Sequence, residues 1–156
     1  MLYHVPDIPQ TLTEITRVLK PGGLLCTATN GLTLMLEIHQ FIQMYNHNYQ
    51  TRGREAARFC LENAQTLSAP YFSNTDVVIY DDHLEVTKSK KLLAYILSIG
   101  RMIEGITSQD ITKIRRILQK QIMIVGHIYI SKSQGLLLAV KEKHIGIKFF
   151  YVCSRN

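Results

Sequence analysis

The residues able to do chemistry are few and scattered. Asp81-Asp82-His83 sets two carboxylates beside an imidazole. Those residue types make a general acid–base cluster when a carboxylate orients the ring or carries the proton itself. The competing reading is a polar bulge between two paired stretches of strand. Cys60 has no activating base near it in sequence, so its thiol reads as buried and inert. His39 and His47 lack the four-residue spacing of a helical metal pair, and no metal site is expected. Cys26, Cys60 and Cys153 are an odd, scattered set without C-x-x-C spacing, which points to a reducing cytosol and no disulfide framework.

The elements that position these residues alternate between helix and strand. Leu12, Ile15, Val18 and Leu19 recur at helical spacing, and Asp7 and Pro9 suit a helix start. Pro21 cannot continue that helix, and Gly22-Gly23 reverses the chain into a short apolar strand over 24–29. Asn30-Gly31 ends the strand with turn chemistry. A long amphipathic helix is expected over 32–45, with Leu34, Ile38, Phe41 and Tyr45 on one face and Glu37 and His39 off it. A charged surface connection over 51–58 and a short helix ending near Ala69-Pro70 follow. Residues 77–80 and 84–87 read as one strand broken in its middle. Helices are expected from Ser89, as N-cap, to Leu97, and from Thr107 to Ile122, with Gly126 stopping the second. The runs 127–130 and 136–140 read as two strands joined through Ser133-Gln134-Gly135 as a hairpin.

At 156 residues, with 46% apolar and 19% charged residues, one domain with a real core is expected. No apolar run approaches the ~20 residues of a membrane span, and the N-terminus lacks a signal pattern. The formal charge of +6 raises a nucleic-acid partner. No Lys/Arg run exceeds two, however, and aromatics do not alternate with the basic residues as a stacking platform requires. A solvated basic surface is the better account, and nucleic acid is not the expected partner.

Four stretches in order resemble one family. Met1-Leu2-Tyr3-His4-Val5-Pro6-Asp7 with the helix to Arg17–Gly23 is the first. Leu61-Glu62-Asn63 is the second, Tyr80-Asp81-Asp82-His83-Leu84-Glu85-Val86-Thr87 the third, and Ile130-Ser131-Lys132-Ser133-Gln134-Gly135-Leu136 the fourth. Together, from Met1 to about Lys141, they resemble the second half of class I S-adenosylmethionine (SAM) dependent methyltransferases of the small type 11 group. Pro-Gly-Gly after a helix is weak alone; the ordered series is more specific. The resemblance implies an α/β, incomplete Rossmann-like fold: a three-stranded mixed sheet in the family's order 5-7-6, with covering helices. It implies a methyltransferase portion over 1–141 and a tail, 142–156, outside the pattern, which is an added strand or sequence beyond the natural end.

The resemblance also assigns residues. Leu2, Tyr3 and His4 correspond to the carboxyl tip of strand 4, near the methionine end of SAM or the substrate, and are assigned to the cofactor. For His4 the competing role is a local hydrogen bond at the helix start. Asn30, Glu37, His39 and His83 are implied acceptor contacts, and for Glu37 and His39 the competing reading is ordinary solvated surface. The class needs a Gly-rich turn after strand 1 and an acidic residue after strand 2 for the ribose. This chain has no G-x-G. It is therefore expected to be a truncated SAM-dependent methyltransferase of unknown small-molecule acceptor, inactive alone and binding SAM weakly or not at all. The expected partners are the missing N-terminal half or a second copy through the open strand 5 edge. The other class of function is a non-catalytic basic α/β module that binds nucleic acid or a protein.

Overall fold

One strand holds the sheet together. In the computed structural model, which describes residues 2–49 and 56–142, β3 (Ile128–Val140) lies between β1 (Leu24–Asn30) and β2 (Asn74–Val86). Both neighbours run antiparallel to β3. The mixed sheet expected from the resemblance is thus corrected. The strands that run the same way, β1 and β2, are kept apart by β3, so no parallel ladder forms among the described residues.

β2 and β3 are continuous. Their register runs one to one from Asn74 opposite Val140 to Val86 opposite Ile128. The expected bulge at Asp81–His83 and the expected hairpin at Ser133-Gln134-Gly135 are both absent. The polar residues that suggested breaks pair across the ladder instead: Lys132 donates to the Asp82 carboxylate directly opposite it. That ammonium, with the His83 N–H, holds the Asp82 carboxyl below its usual range. Gly135 is mid-strand because of close approach. A Cβ there would lie 2.4 Å from the Val78 carbonyl oxygen.

Among the described residues the helices include α1 (Ile8–Val18), α2 (Leu36–Gln43), α3 (Ala64–Ser68), α4 (Ser89–Ser98), α5 (Gly100–Ile103) and α6 (Ser108–Val125). A 3-10 turn, Leu2–His4, precedes them. Asp7 caps α1, its Oδ1 accepting from the Gln10 N–H at 2.8 Å. α6 opens with a capping box between Thr107 and Asp110 and closes on Gly126 in the left-handed region. α2 starts later than its apolar stripe suggests. Residues 31–35 first follow β3: Gly31 N–H donates to Ser133 O at 2.8 Å, and Met35 N–H to Ser131 O at 3.0 Å. Met35 then takes φ 56°, unusual for a side-chain-bearing residue, to turn into the helix. α4 is capped by Lys88 rather than Ser89, without a side-chain cap bond, and α5 begins at Gly100.

Alternate side chains of β3 face opposite cores. Leu137 and Ala139 join Leu2, Ile8, Leu12, Phe59, Ala64 and Phe72 on one face. Ile130 joins Ile38, Ile42, Leu92, Ile96, Ile114 and Leu118 on the other. Lys141 ties the chain shut beside β1: its backbone exchanges hydrogen bonds with Gly22 and Gly23, and its Nζ donates to the carbonyls of Thr16 and Leu19. Among the described residues no helix is long and apolar enough to cross a membrane. The added strand expected within 142–156, and Cys153 with it, lie outside the described residues beyond Glu142.

Candidate functional site

The polar groups converge at the carboxyl end of β1. Asn30, the last residue of that strand, is buried. Its Nδ2 donates to the Tyr3 hydroxyl at 3.5 Å, its Oδ1 accepts from Gln134 Nε2 at 3.4 Å, and its carbonyl accepts from the Leu61 N–H at 3.2 Å. Asn30 therefore joins the N-terminal turn, the middle of β3 and the segment before α3. One residue earlier, the buried Thr29 hydroxyl donates to Phe59 O at 2.8 Å.

Arg58 fixes the N-terminal turn. Its guanidinium donates to the carbonyls of Tyr3, Val5 and Pro6, at 3.4, 2.8 and 2.6 Å. Planar geometry with several donors suits such a clamp on a curved backbone. The rings of Tyr3 and His4 pack against each other with centroids 4.3 Å apart, and His4 is exposed. Leu2 is buried in the core with Leu137 and Ala139, and Tyr3 packs partly against the same cluster. Of the three adjacent residues assigned to the cofactor, Leu2 is thus occupied in packing, because a 3-10 turn cannot aim three successive side chains at one point.

The loop after β1 is held by Glu62, whose Oε1 accepts from the Leu32 N–H at 3.0 Å. Burial works against ionisation of Glu62, but that bond, its own N–H and the Cys60 thiol outweigh it and keep the carboxyl below its usual range. Burial pushes the Cys60 thiol up, and its hydrogen bond to Glu62 pushes the same way. Cys60 is buried as expected and is not poised as a nucleophile. Gly31 sits where a Cβ would lie 2.0 Å from Ser133 Oγ.

The other assigned residues lie elsewhere. Glu37 on α2 accepts from both the N–H and the hydroxyl of Ser131, at 3.0 and 2.9 Å, so it fastens α2 to β3. His39 is buried, its Nδ1 2.5 Å from the Tyr49 hydroxyl with the rings stacked. His83 is exposed, stacks on Tyr129 with centroids 5.0 Å apart, and has Glu85 Oε1 3.8 Å from its Nε2. It sits on the stretch of β2 that pairs with β3 beyond the end of β1. The acid–base reading of this stretch meets a different arrangement, since Asp82 is engaged by Lys132. Among the described residues no group of His, Cys, Asp and Glu can hold a metal ion. Arg58, Glu62 and Gln134 have roles at the tip that sequence reasoning missed. The first sat in a stretch read as a surface connection and the last in a supposed hairpin.

The tip offers an amide, a phenol and an exposed imidazole on a firmly bonded backbone. Such groups can bind and orient a ligand; among the described residues of the tip no nucleophile is activated by a neighbouring base.

Residues 1–27 match the profile of a family described as Methyltransferase domain. That match covers the stretch from Met1 through Pro21-Gly22-Gly23, the first of the four stretches that carry the resemblance. No curated protein matches the chain. A solved structure similar to it is the Haemonchus contortus phospholethanolamine N-methyltransferase 2 in complex with phosphomonomethylethanolamine and S-adenosylhomocysteine, at 15% identity and a TM-score of 0.35. That similarity covers 91% of this chain and 32% of the nematode chain, so the present chain spans about a third of that relative's length.

Proposed function

We propose that the chain is the acceptor-side portion of a SAM-dependent methyltransferase and is inactive alone. The observation that carries this is the docking of the N-terminal turn, through Tyr3 and Arg58, onto the carboxyl end of β1, within the stretch that matches the methyltransferase profile. In this reading β1, β3 and β2 stand for the family's strands 5, 7 and 6, with the turn at the tip of strand 4.

The chain's own groups do not make a complete SAM site. Tyr3 and His4 offer contacts to one end of such a ligand, Leu2 is buried in the core, and no Gly-rich turn follows any described strand. When bound, SAM supplies an activated methyl group. What these residues contribute is position: Asn30 and Tyr3 set the floor at the strand tip, and Arg58 and Glu62 hold the loops around it. Small-molecule acceptor chemistry, a cytoplasmic setting, and association with a complementary half or a second copy through the outer edge of β1 belong to the same proposal. That edge has no strand partner among the described residues.

The genomic DNA upstream of Met1 tests it. An in-frame segment with a Gly-rich turn after a strand supports a longer or divided enzyme of which this chain is one portion. An upstream frame without one contradicts the proposal.

A further inference from the structure

The ribbon of β2 and β3 overshoots β1. β1 pairs with β3 only from Gln134 to Val140, whereas β2 pairs with it back to Ile128. Beneath this overhang lies a cavity of about 440 Å³, bounded by Met35, Ile38, Leu84, Leu92, Tyr95 and Ile130. Its volume falls in the ~300–1,000 Å³ range of small-molecule sites. The floor is apolar, and the Tyr95 hydroxyl is turned onto Met35 Sδ at 3.2 Å. Ile38, Leu92 and Ile130 also wall a second cavity of about 340 Å³, so apolar surface continues past the first.

The mouth is charged. Lys88 and Lys91 line the cavity and are exposed, and Glu85 is the single acidic residue in its lining. Glu85 has the His83 imidazole as a neighbour at 3.8 Å, while neither lysine has an ion-pair partner among the described residues. Two ammonium groups against one carboxylate leave the rim positive. Lysine stems also extend apolar surface while keeping their charge in water.

We infer that this cavity binds an amphipathic anion: a flexible apolar chain lies on Ile38, Leu92 and Ile130, and a terminal carboxylate is held at the rim by Lys88 and Lys91. A cation is disfavoured by the rim charge, and a fully polar ligand by the floor. The binding does not depend on methyl transfer. Only the further step of taking such a molecule as the acceptor rests on the proposed function.

The test titrates 11-(dansylamino)undecanoic acid into the full chain and follows the rise in dansyl fluorescence. Saturable binding near one per chain is expected, with affinity in the range of about 1–10 µM. The exposed pair Lys88→Glu and Lys91→Glu should weaken it about tenfold, with an unchanged circular dichroism spectrum. The methyl ester of the same probe should bind the unaltered chain about as weakly as the acid binds the double variant. Leu84→Asp should abolish binding of both. Absence of saturable binding, or equal affinities for acid and ester, or for the unaltered and doubly substituted chains, would overturn the inference. A parallel titration with SAM separates this from failure of the methyltransferase reading, because the dansyl result does not require SAM to bind.

Discussion

The hydroxyl of Tyr3 lies 3.5 Å from Nδ2 of Asn30, so the first turn of the chain touches the last residue of β1. Between those two residues run α1, the Pro-Gly-Gly turn and the whole of β1. The contact closes a turn–helix–strand unit at the carboxyl end of β1. Arg58 keeps it closed from outside.

Removing that clamp should loosen the turn before it affects the core. In Arg58→Ala, amides of residues 2–8 should exchange about tenfold faster with deuterium, as three hydrogen bonds to carbonyls are lost. Exchange in β3 should be unchanged. Uniform acceleration throughout would mean that Arg58 acts on global stability instead.

Glu37 is expected to behave as a fastener. Glu37→Ala leaves the partly buried Ser131 N–H without its acceptor and should cost about 1–3 kcal/mol in denaturant unfolding. Glu37→Gln keeps one amide oxygen and should recover part of that loss. If both variants unfold like the parent, Glu37 is free for another role.

Gly135→Ala should be among the most damaging single-methyl changes. The added carbon meets backbone, the Val78 carbonyl, and cannot be relieved by a rotamer change. Strands must separate locally, at a cost of about 1–3 kcal/mol or more, read as a fall in the thermal midpoint. An unchanged midpoint would show that β2 and β3 do not approach as described.

The α6 capping box gives a signed pH dependence. The Thr107 hydroxyl and N–H, with Lys113, hold the Asp110 carboxyl below its ordinary value of 3.8. A depressed carboxylate contributes stability that is present above the unfolded value and lost as pH falls through the lower folded one. Asp110→Asn should therefore be less stable than the parent at neutral pH, with the gap closing as the solution is acidified below 3.8. Urea midpoints measured at neutral and strongly acidic pH check this. A gap that widens in acid would contradict it.

The two described thiols should separate by reactivity. Cys26 is exposed, whereas burial and Glu62 raise the Cys60 thiol. In a Cys153→Ser background, iodoacetamide at pH 8 should label Cys26 at least about 100-fold faster, read site by site by mass spectrometry. Comparable rates would place Cys60 at the surface.

What could be read from sequence was local. Asp7 before Pro9, Thr107 three residues before Asp110, and Gly126 after an apolar stripe each define a helix end from a few neighbours, and each stands in the structure. Chemistry that depends on distant partners was misread. Asp81-Asp82-His83 reads as a bulge and Ser133-Gln134-Gly135 as a turn, because a single sequence does not reveal that Lys132 stands opposite Asp82 or that Gly135 pairs with Ile79 beside the Val78 carbonyl. Met35 carries no turn signature, and its left-handed backbone follows from the hydrogen bond to Ser131 across the sheet. At the tip, Tyr3 and Asn30 were named and do meet. Arg58, Glu62 and Gln134 became visible only when the chain brought them there, and His39 proved to face Tyr49 inside the fold.

The central claim is that the polar tip of β1 is one side of a cofactor site whose Gly-rich side this chain does not supply. Isothermal titration of S-adenosylmethionine into the purified chain tests it most directly. The account predicts no saturable heat at ligand concentrations up to about 1 mM, where a complete site of micromolar affinity would saturate. A stoichiometric, micromolar isotherm for this chain by itself would contradict it.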